Sequence, residues 1–402
     1  MKATGAAVAR AGLALLLAML LATFLPGCGS PADPAAGQIT VSLASRAGAL
    51  LARDEAGWLG ALEGPARERA HEEFTNLREV PLASFEYRTQ QVHRHGDTAV
   101  AEVELRYRIE GHDRVPVTQN RQVSARVRGG HWQVTGDERG RGVPPQLWEQ
   151  GPVTAVRTQR VLLLGVGHPR EQLDAMADEA QRAVPAVSAA WPEPWAERTL
   201  VLVPASLQAM AELLGSSASS YRGMGAVTTG QVGSVPAPSD RVVVNPEAYA
   251  ELSSVGRRVI LTHETVHVAT RTATTASTPL WLSEGFADWV AYRGTSRPPA
   301  EAAPALREAL SAGEQPGALP VDAAFSFSGD GDGLARAYEG SWLAVRLIAQ
   351  RWGEERLARF YCAVGAHPQR AGAVESALAG VLGTDLAGFT ADWRAAVRAE
   401  LG

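Results

Sequence analysis

Val259-Ile260-Leu261-Thr262-His263-Glu264-Thr265-Val266-His267-Val268-Ala269 is followed, 17 positions after His267, by Glu284 in the segment Trp281-Leu282-Ser283-Glu284-Gly285-Phe286-Ala287-Asp288. Val259-Ile260-Leu261 before the histidines and Val266, Val268 and Ala269 beside them are apolar, and a helix turns His263 and His267, four positions apart, to the same side. Imidazoles on a nearly all-apolar helix need a partner, because desolvating them without one is costly. Two imidazoles and a carboxylate from a second helix make three ligands of a catalytic zinc, with a position left for water. Glu264 would project beside that water as general base. The string alone is weak: with nine His in 402 residues, chance produces His-Glu-x-x-His in roughly one such chain in a hundred.

The second segment adds context. Ser277 or Thr278 can cap a helix there, and Pro279 suits its first turn. Asp288 lies one turn beyond Glu284 on the same face, placed to accept the free ring N–H of a ligating histidine and so fix its tautomer. Gly285 costs about 1 kcal/mol relative to Ala inside a helix. Close approach to the histidine helix is the expected reason for it.

The segments HETVH and WLSEGFADW together resemble the gluzincins, zinc peptidases that include thermolysin and the cation-dependent aminopeptidases. They look most like the compact peptidase-MA-like branch of that group found in bacterial lipoproteins. The resemblance spans roughly 150–402 and is sharp between 259 and 292. It implies a thermolysin-like zincin domain holding one Zn2+ ion, with His263, His267 and Glu284 as ligands and Glu264 as the residue that activates water. Ala337-Tyr338-Glu339-Gly340 resembles the Tyr-Glu-Lys-Gly segment of the aminopeptidases, although the lysine is missing. That likeness implies Tyr338 as a donor to oxyanion charge that develops in the transition state. A core aromatic on a helix over 335–351 is the other reading. Aminopeptidases of the group also carry a Gly-Ala-Met-Glu-Asn strand whose acid grips the substrate amine. The nearest segment here, Arg222-Gly223-Met224-Gly225-Ala226-Val227, has neither Glu nor Asn. The resemblance therefore implies a zinc metallopeptidase of endopeptidase type acting on a peptide or protein substrate, with 227–230 as an edge strand for an extended peptide. A catalytically silent zincin-fold binding or scaffold lipoprotein is the alternative from another class.

The first 27 residues carry Lys2 and Arg10 and then an apolar run over 11–25 with the length of a secretory core. Leu25-Pro26-Gly27-Cys28 resembles a bacterial lipoprotein lipobox. It implies cleavage before Cys28, lipidation of its sulfur, a tether over 28–37, and residence on the outer face of the cytoplasmic membrane. An ordinary secretion signal is the alternative. Losing Lys2 and Arg10 moves the net charge from -5 to -7, a mild acidity that gives no reason to expect nucleic acid. Cys28 and Cys362 are the only cysteines. With Cys28 acylated no disulfide forms, and Cys362 after Phe360-Tyr361 reads as a buried structural thiol. Oligomeric state is not legible.

The order of patterns is α+β. Residues 40–83 have helical spacing, with Leu43, Leu50, Leu51, Trp58, Leu59, Leu62 and Phe74 as core positions. The period then becomes two, as Val103, Leu105, Tyr107 and Ile109 alternate with charged residues. Residues 122–128 and 131–135 flank Gly129-Gly130, a hairpin signal. Helices followed by a curled antiparallel sheet look like the cone-shaped nuclear-transport-factor-like fold over 38–150, a spacer or docking module. Pro144-Pro145 and Gly151-Pro152 mark the boundary to a second domain over 151–402. There strands are expected at 158–165, 199–203 and 241–244, strand and turn over 221–233, and helices at 169–190 and 207–214. From 254 onward the chain reads as nearly all helix. The Asp330-Gly331-Asp332-Gly333 run reads as a solvated loop, and His93 and His95 as part of a polar turn.

Overall fold

The computed structural model describes residues 34–230, 240–326 and 331–402. The leader, Cys28 and the tether as far as residue 33 lie outside the described residues, as do 231–233 of the strand-and-turn segment and Asp330. Among the described residues three helices come first, α1 (Pro34–Leu51), α2 (Glu55–Leu59) and α3 (Gly64–Asn76). Residues 34–37 are helical rather than part of a tether. Ala35 and Ile39 are fully buried there, and the Gln38 side chain accepts the Trp132 N–H at 3.1 Å. Leu43, Leu50, Trp58, Leu59 and Leu62 are buried and Phe74 half-buried. Leu51 is instead 41% exposed, because it falls outside the stripe of Ala35, Ile39, Leu43, Ala47 and Leu50.

Four antiparallel strands follow as a meander, β1 (Leu82–His95), β2 (Thr98–Ile109), β3 (Val117–Arg128) and β4 (His131–Arg139), paired in chain order. Every second residue of β2 is buried, from Ala99 to Ile109. Gly129 and Gly130 both have positive φ, the geometry that a two-residue hairpin turn requires. Register irregularities interrupt the β1–β2 and β3–β4 pairings, the kind of device that bends a sheet.

The second sheet has the order β5-β6-β7-β9-β8, from β5 (Val153–Arg157), β6 (Val161–Val166), β7 (Thr199–Val203), β8 (Ala226–Thr229) and β9 (Arg241–Val244). Its middle strands β6, β7 and β9 are parallel, and β5 and β8 join antiparallel at the two edges. α4 (Arg170–Ala190) connects β6 to β7 and α5 (Leu207–Leu213) leaves β7. β6 and β7 are buried along their whole length, the pattern of strands covered on both faces. Thr158 to Arg160 form the turn between β5 and β6, so a single strand over 158–165 merges a turn with a strand. One sheet face (Leu162, Leu164, Leu200, Leu202, Val243) shares an apolar cluster with α1, α2 and the first sheet. The other face (Leu163, Val201, Val242, Val244) packs on α4 and on Leu261.

The rest is helical, with α6 (Pro246–Glu251), α7 (Ser254–Thr270), α8 (Leu280–Tyr292), α9 (Pro299–Ala302), α10 (Pro304–Ser311), α11 (Gly331–Trp352), α12 (Glu354–Ala366), α13 (Ala373–Ala377) and α14 (Leu386–Leu401). The architecture is α+β. Gly331 to Gly333 open α11 instead of forming a loop, and Asp332 in its first turn meets the positive end of the helix. No helix among the described residues is long and apolar enough to cross a membrane.

Gly285 serves α11, not the histidine helix. A Cβ at this position would collide with the Ser341 carbonyl oxygen and stand 2.7 Å from its carbon. Gly285→Ala is expected to destabilise the fold by about 1–3 kcal/mol, since neither backbone can yield cheaply. Denaturant unfolding measures this, and an unchanged midpoint would contradict the contact.

Candidate metal centre

α7 carries the first two metal-ligand candidates. The Ser253 side chain accepts the Gly256 N–H at its start, and the helix then packs against α4, α8 and β8. His263 and His267 therefore leave one face of α7 toward α8, where Glu284 meets them. His263 Nε2 lies 3.0 Å from His267 Nε2 and 3.2 Å from Glu284 Oε2, and His267 Nε2 lies 3.5 Å from that same oxygen. Asp288 Oδ1 stands 2.8 Å from His263 Nδ1. With Nδ1–H donated to Asp288, Nε2 of the neutral ring presents its lone pair to the other two atoms.

Three lone-pair atoms facing one another repel unless a cation or a shared proton lies between them. Tetrahedral bonds of about 2.0–2.2 Å from zinc to nitrogen and oxygen put neighbouring ligands about 3.3–3.6 Å apart. The observed edges, 3.0, 3.2 and 3.5 Å, come within about 0.3 Å of that triangle. Among the described residues no other group of His, Cys, Asp and Glu converges in this way.

The electrostatics follow from burial and pairing. Burial opposes the charged form of His263. The hydrogen bond and charge of Asp288, then those of Glu284, outweigh it and raise its pKa well above the usual histidine range. Burial likewise favours a neutral Glu284, yet His267 and His263 hold its carboxyl well below the usual range. A metal ion bound here would therefore displace a proton, and its binding would weaken as pH falls. Asp288→Ala is expected to lower zinc affinity about 10–100-fold, the usual effect of removing such an orienting carboxylate. A competition titration against a chelator checks this, and an unchanged affinity would contradict the orienting role.

Glu264 is 5% exposed, and its Oε2 accepts the Thr228 hydroxyl at 2.7 Å. Tyr338 comes from α11. Its ring lies 6.4 Å from that of His263 and 5.2 Å from that of Phe325. Burial, and then the charges of Glu284, Asp288 and Glu264, push its pKa far above the normal phenol, which keeps its proton. Glu339 points elsewhere, accepting the N–H groups of Ala305 and Leu306 at the start of α10, at 3.1 and 2.6 Å.

Some local expectations fail for tertiary reasons. Neither Ser277 nor Thr278 caps α8, whose N-cap is Pro279. The Leu280 N–H goes instead to Asp322 Oδ1 at 3.0 Å. The Ser277 hydroxyl donates to the His367 carbonyl, and Thr278 Oγ1 accepts the Thr275 N–H. Both residues are engaged in tying the α7–α8 turn together and to α12. Two groups near the site carry no motif at all: Thr228, and Arg271, which pairs with Asp240 at 3.0 Å one turn beyond His267. Cys362 is half-buried, with its thiol pushed up to about 11 by burial.

No protein-family model and no curated protein matches the chain. Solved structures similar to it include an M1 zinc metallopeptidase from Deinococcus radiodurans, at 14% identity, covering 76% of this chain and 60% of that one, with a TM-score of 0.31. A two-domain M1 zinc metallopeptidase mutant bound to L-arginine is 15% identical, covers 69% and 58% respectively, and has a TM-score of 0.35. A protein containing a SEC-C motif from Rhodopseudomonas palustris is 18% identical over 28% of this chain and 95% of its own, with a TM-score of 0.20. The chain thus spans about 60% of the length of the first metallopeptidase. Likenesses this distant leave the function to be argued from the site.

Proposed function

We propose that the chain is a zinc-dependent metallopeptidase that hydrolyses internal peptide bonds, exported and held at the outer face of the cytoplasmic membrane through lipidated Cys28. The observation that carries the reading is the triangle of His263, His267 and Glu284 with the buried Glu264 carboxylate on the next residue of α7. Zinc bound there would supply a Lewis acid that polarises the scissile carbonyl and acidifies water. Glu264 takes the proton of the attacking water and returns it to the leaving amine. Tyr338, which keeps its proton, donates a hydrogen bond to the developing oxyanion. Among the described residues β8 ends the second sheet, and its outer edge would offer backbone groups to an extended substrate. The leader, the lipobox and the division of the chain near residue 150 belong to this proposal on the strength of the sequence.

Incubating the purified protein with a mixed peptide library, with and without chelator, tests the reading. Cleavage that stops with chelator and returns with zinc is expected. Intact peptides beside stoichiometric bound zinc would replace the enzyme by a scaffold.

A further inference from the structure

We infer that Thr228 is a positioning residue that holds the Glu264 carboxylate in the orientation needed for proton transfer, an inference that rests on the proposed hydrolytic role of Glu264. Its hydroxyl lies 2.7 Å from Glu264 Oε2 and 3.1 Å from the Glu264 carbonyl oxygen. Among the described residues it supplies the only hydrogen bond to that carboxylate. The alternation of β8 explains why this residue and no neighbour can do so. Ala226 packs with Leu261 of α7 in one apolar cluster, while Val227 packs on the opposite side with the first sheet. Thr229 is engaged with the backbone of Arg241. Thr228 thus faces α7 at the level of the motif, paired across the ladder with Val242.

A glutamate has three side-chain torsions, and packing alone does not choose among its carboxylate positions. Thr228 is stiff at χ1 because it is β-branched, so its hydroxyl is a fixed donor. It engages Oε2 and leaves Oε1 as the oxygen that takes the proton. The strand that would receive the substrate backbone is then also the element that sets the base.

The test uses the zinc-loaded full chain as wild type, Thr228→Val, which keeps the shape without the hydroxyl, and Thr228→Ser, which keeps the hydroxyl. Thr228→Val is expected to lower kcat about tenfold to a hundredfold, with KM changed less than about twofold and zinc content unchanged. Thr228→Ser recovers most of kcat. Crystal structures of the zinc-loaded proteins should show the Glu264 carboxylate leaving its wild-type position in Thr228→Val. Wild-type kcat in the valine variant, a loss confined to KM, or a serine variant no better than valine overturns the assignment. If the wild type itself turns over no peptide, the peptidase reading fails separately. The crystal structures still decide about Thr228, since an unmoved Glu264 in Thr228→Val overturns its role.

Discussion

Glu264→Gln keeps one zinc per chain and loses at least about a hundredfold of the hydrolytic rate, the lower end of what a positioned general base contributes. The substitution separates binding from chemistry. Glutamine has the same length, and its amide oxygen can still accept the Thr228 hydroxyl that now meets Glu264 Oε2 at 2.7 Å. The triangle of His263, His267 and Glu284 does not include residue 264, so the metal stays. What disappears is the oxygen that takes a proton from water. Peptide cleavage by the zinc-loaded variant measures it, and residual activity above about one percent of wild type would remove Glu264 from its assigned role.

Tyr338→Phe lowers kcat by about 10²–10³ and leaves KM nearly unchanged, as expected when a donor to a developing oxyanion is lost. The ring survives the change, so its contacts with Phe325 and His263 survive as well. Only the hydroxyl goes, and with it the one proton that burial and the surrounding carboxylates hold in place. Steady-state kinetics on a single peptide distinguish this from a packing role. A kcat within about threefold of wild type would return Tyr338 to the status of a core aromatic on α11.

The convergence of His263, His267 and Glu284 was legible because its information is local in the chain. Four-residue spacing on an apolar helix is enough to turn His263 and His267 together, and Glu284 and Asp288 repeat that spacing on the next helix. β7 and β9 were legible for a related reason, since each is a short β-branched run between turn residues. What escaped the sequence depends on partners distant in the chain. Gly285 announces a close approach but not to whom, and the answer is Ser341 of α11. Ser277 and Thr278 have the chemistry of helix caps, yet the turn into α8 uses them elsewhere and borrows Asp322. β5 carries only two buried residues, Val153 and Val156, too few for a period to be seen. Nothing in two successive threonines says that Thr228 faces α7 while Thr229 faces away. That choice is made by the register of β8 on β9.

The extent of the N-terminal helix shows the same limit from the other side. Pro34, Ala35, Ala36 and Gly37 have the composition of a linker, and composition is silent about what lies beneath them. Ala35 and Ile39 are covered completely, so the helix gains apolar contacts by starting early. Propensity is a weak prior when tertiary burial is available.

Metal analysis of the purified chain tests the central claim most directly. The geometry of His263, His267 and Glu284 predicts one zinc per chain, removed by a chelator and restored by added zinc, and absent in His267→Ala. A correctly folded protein that takes up no zinc even after loading would contradict the account.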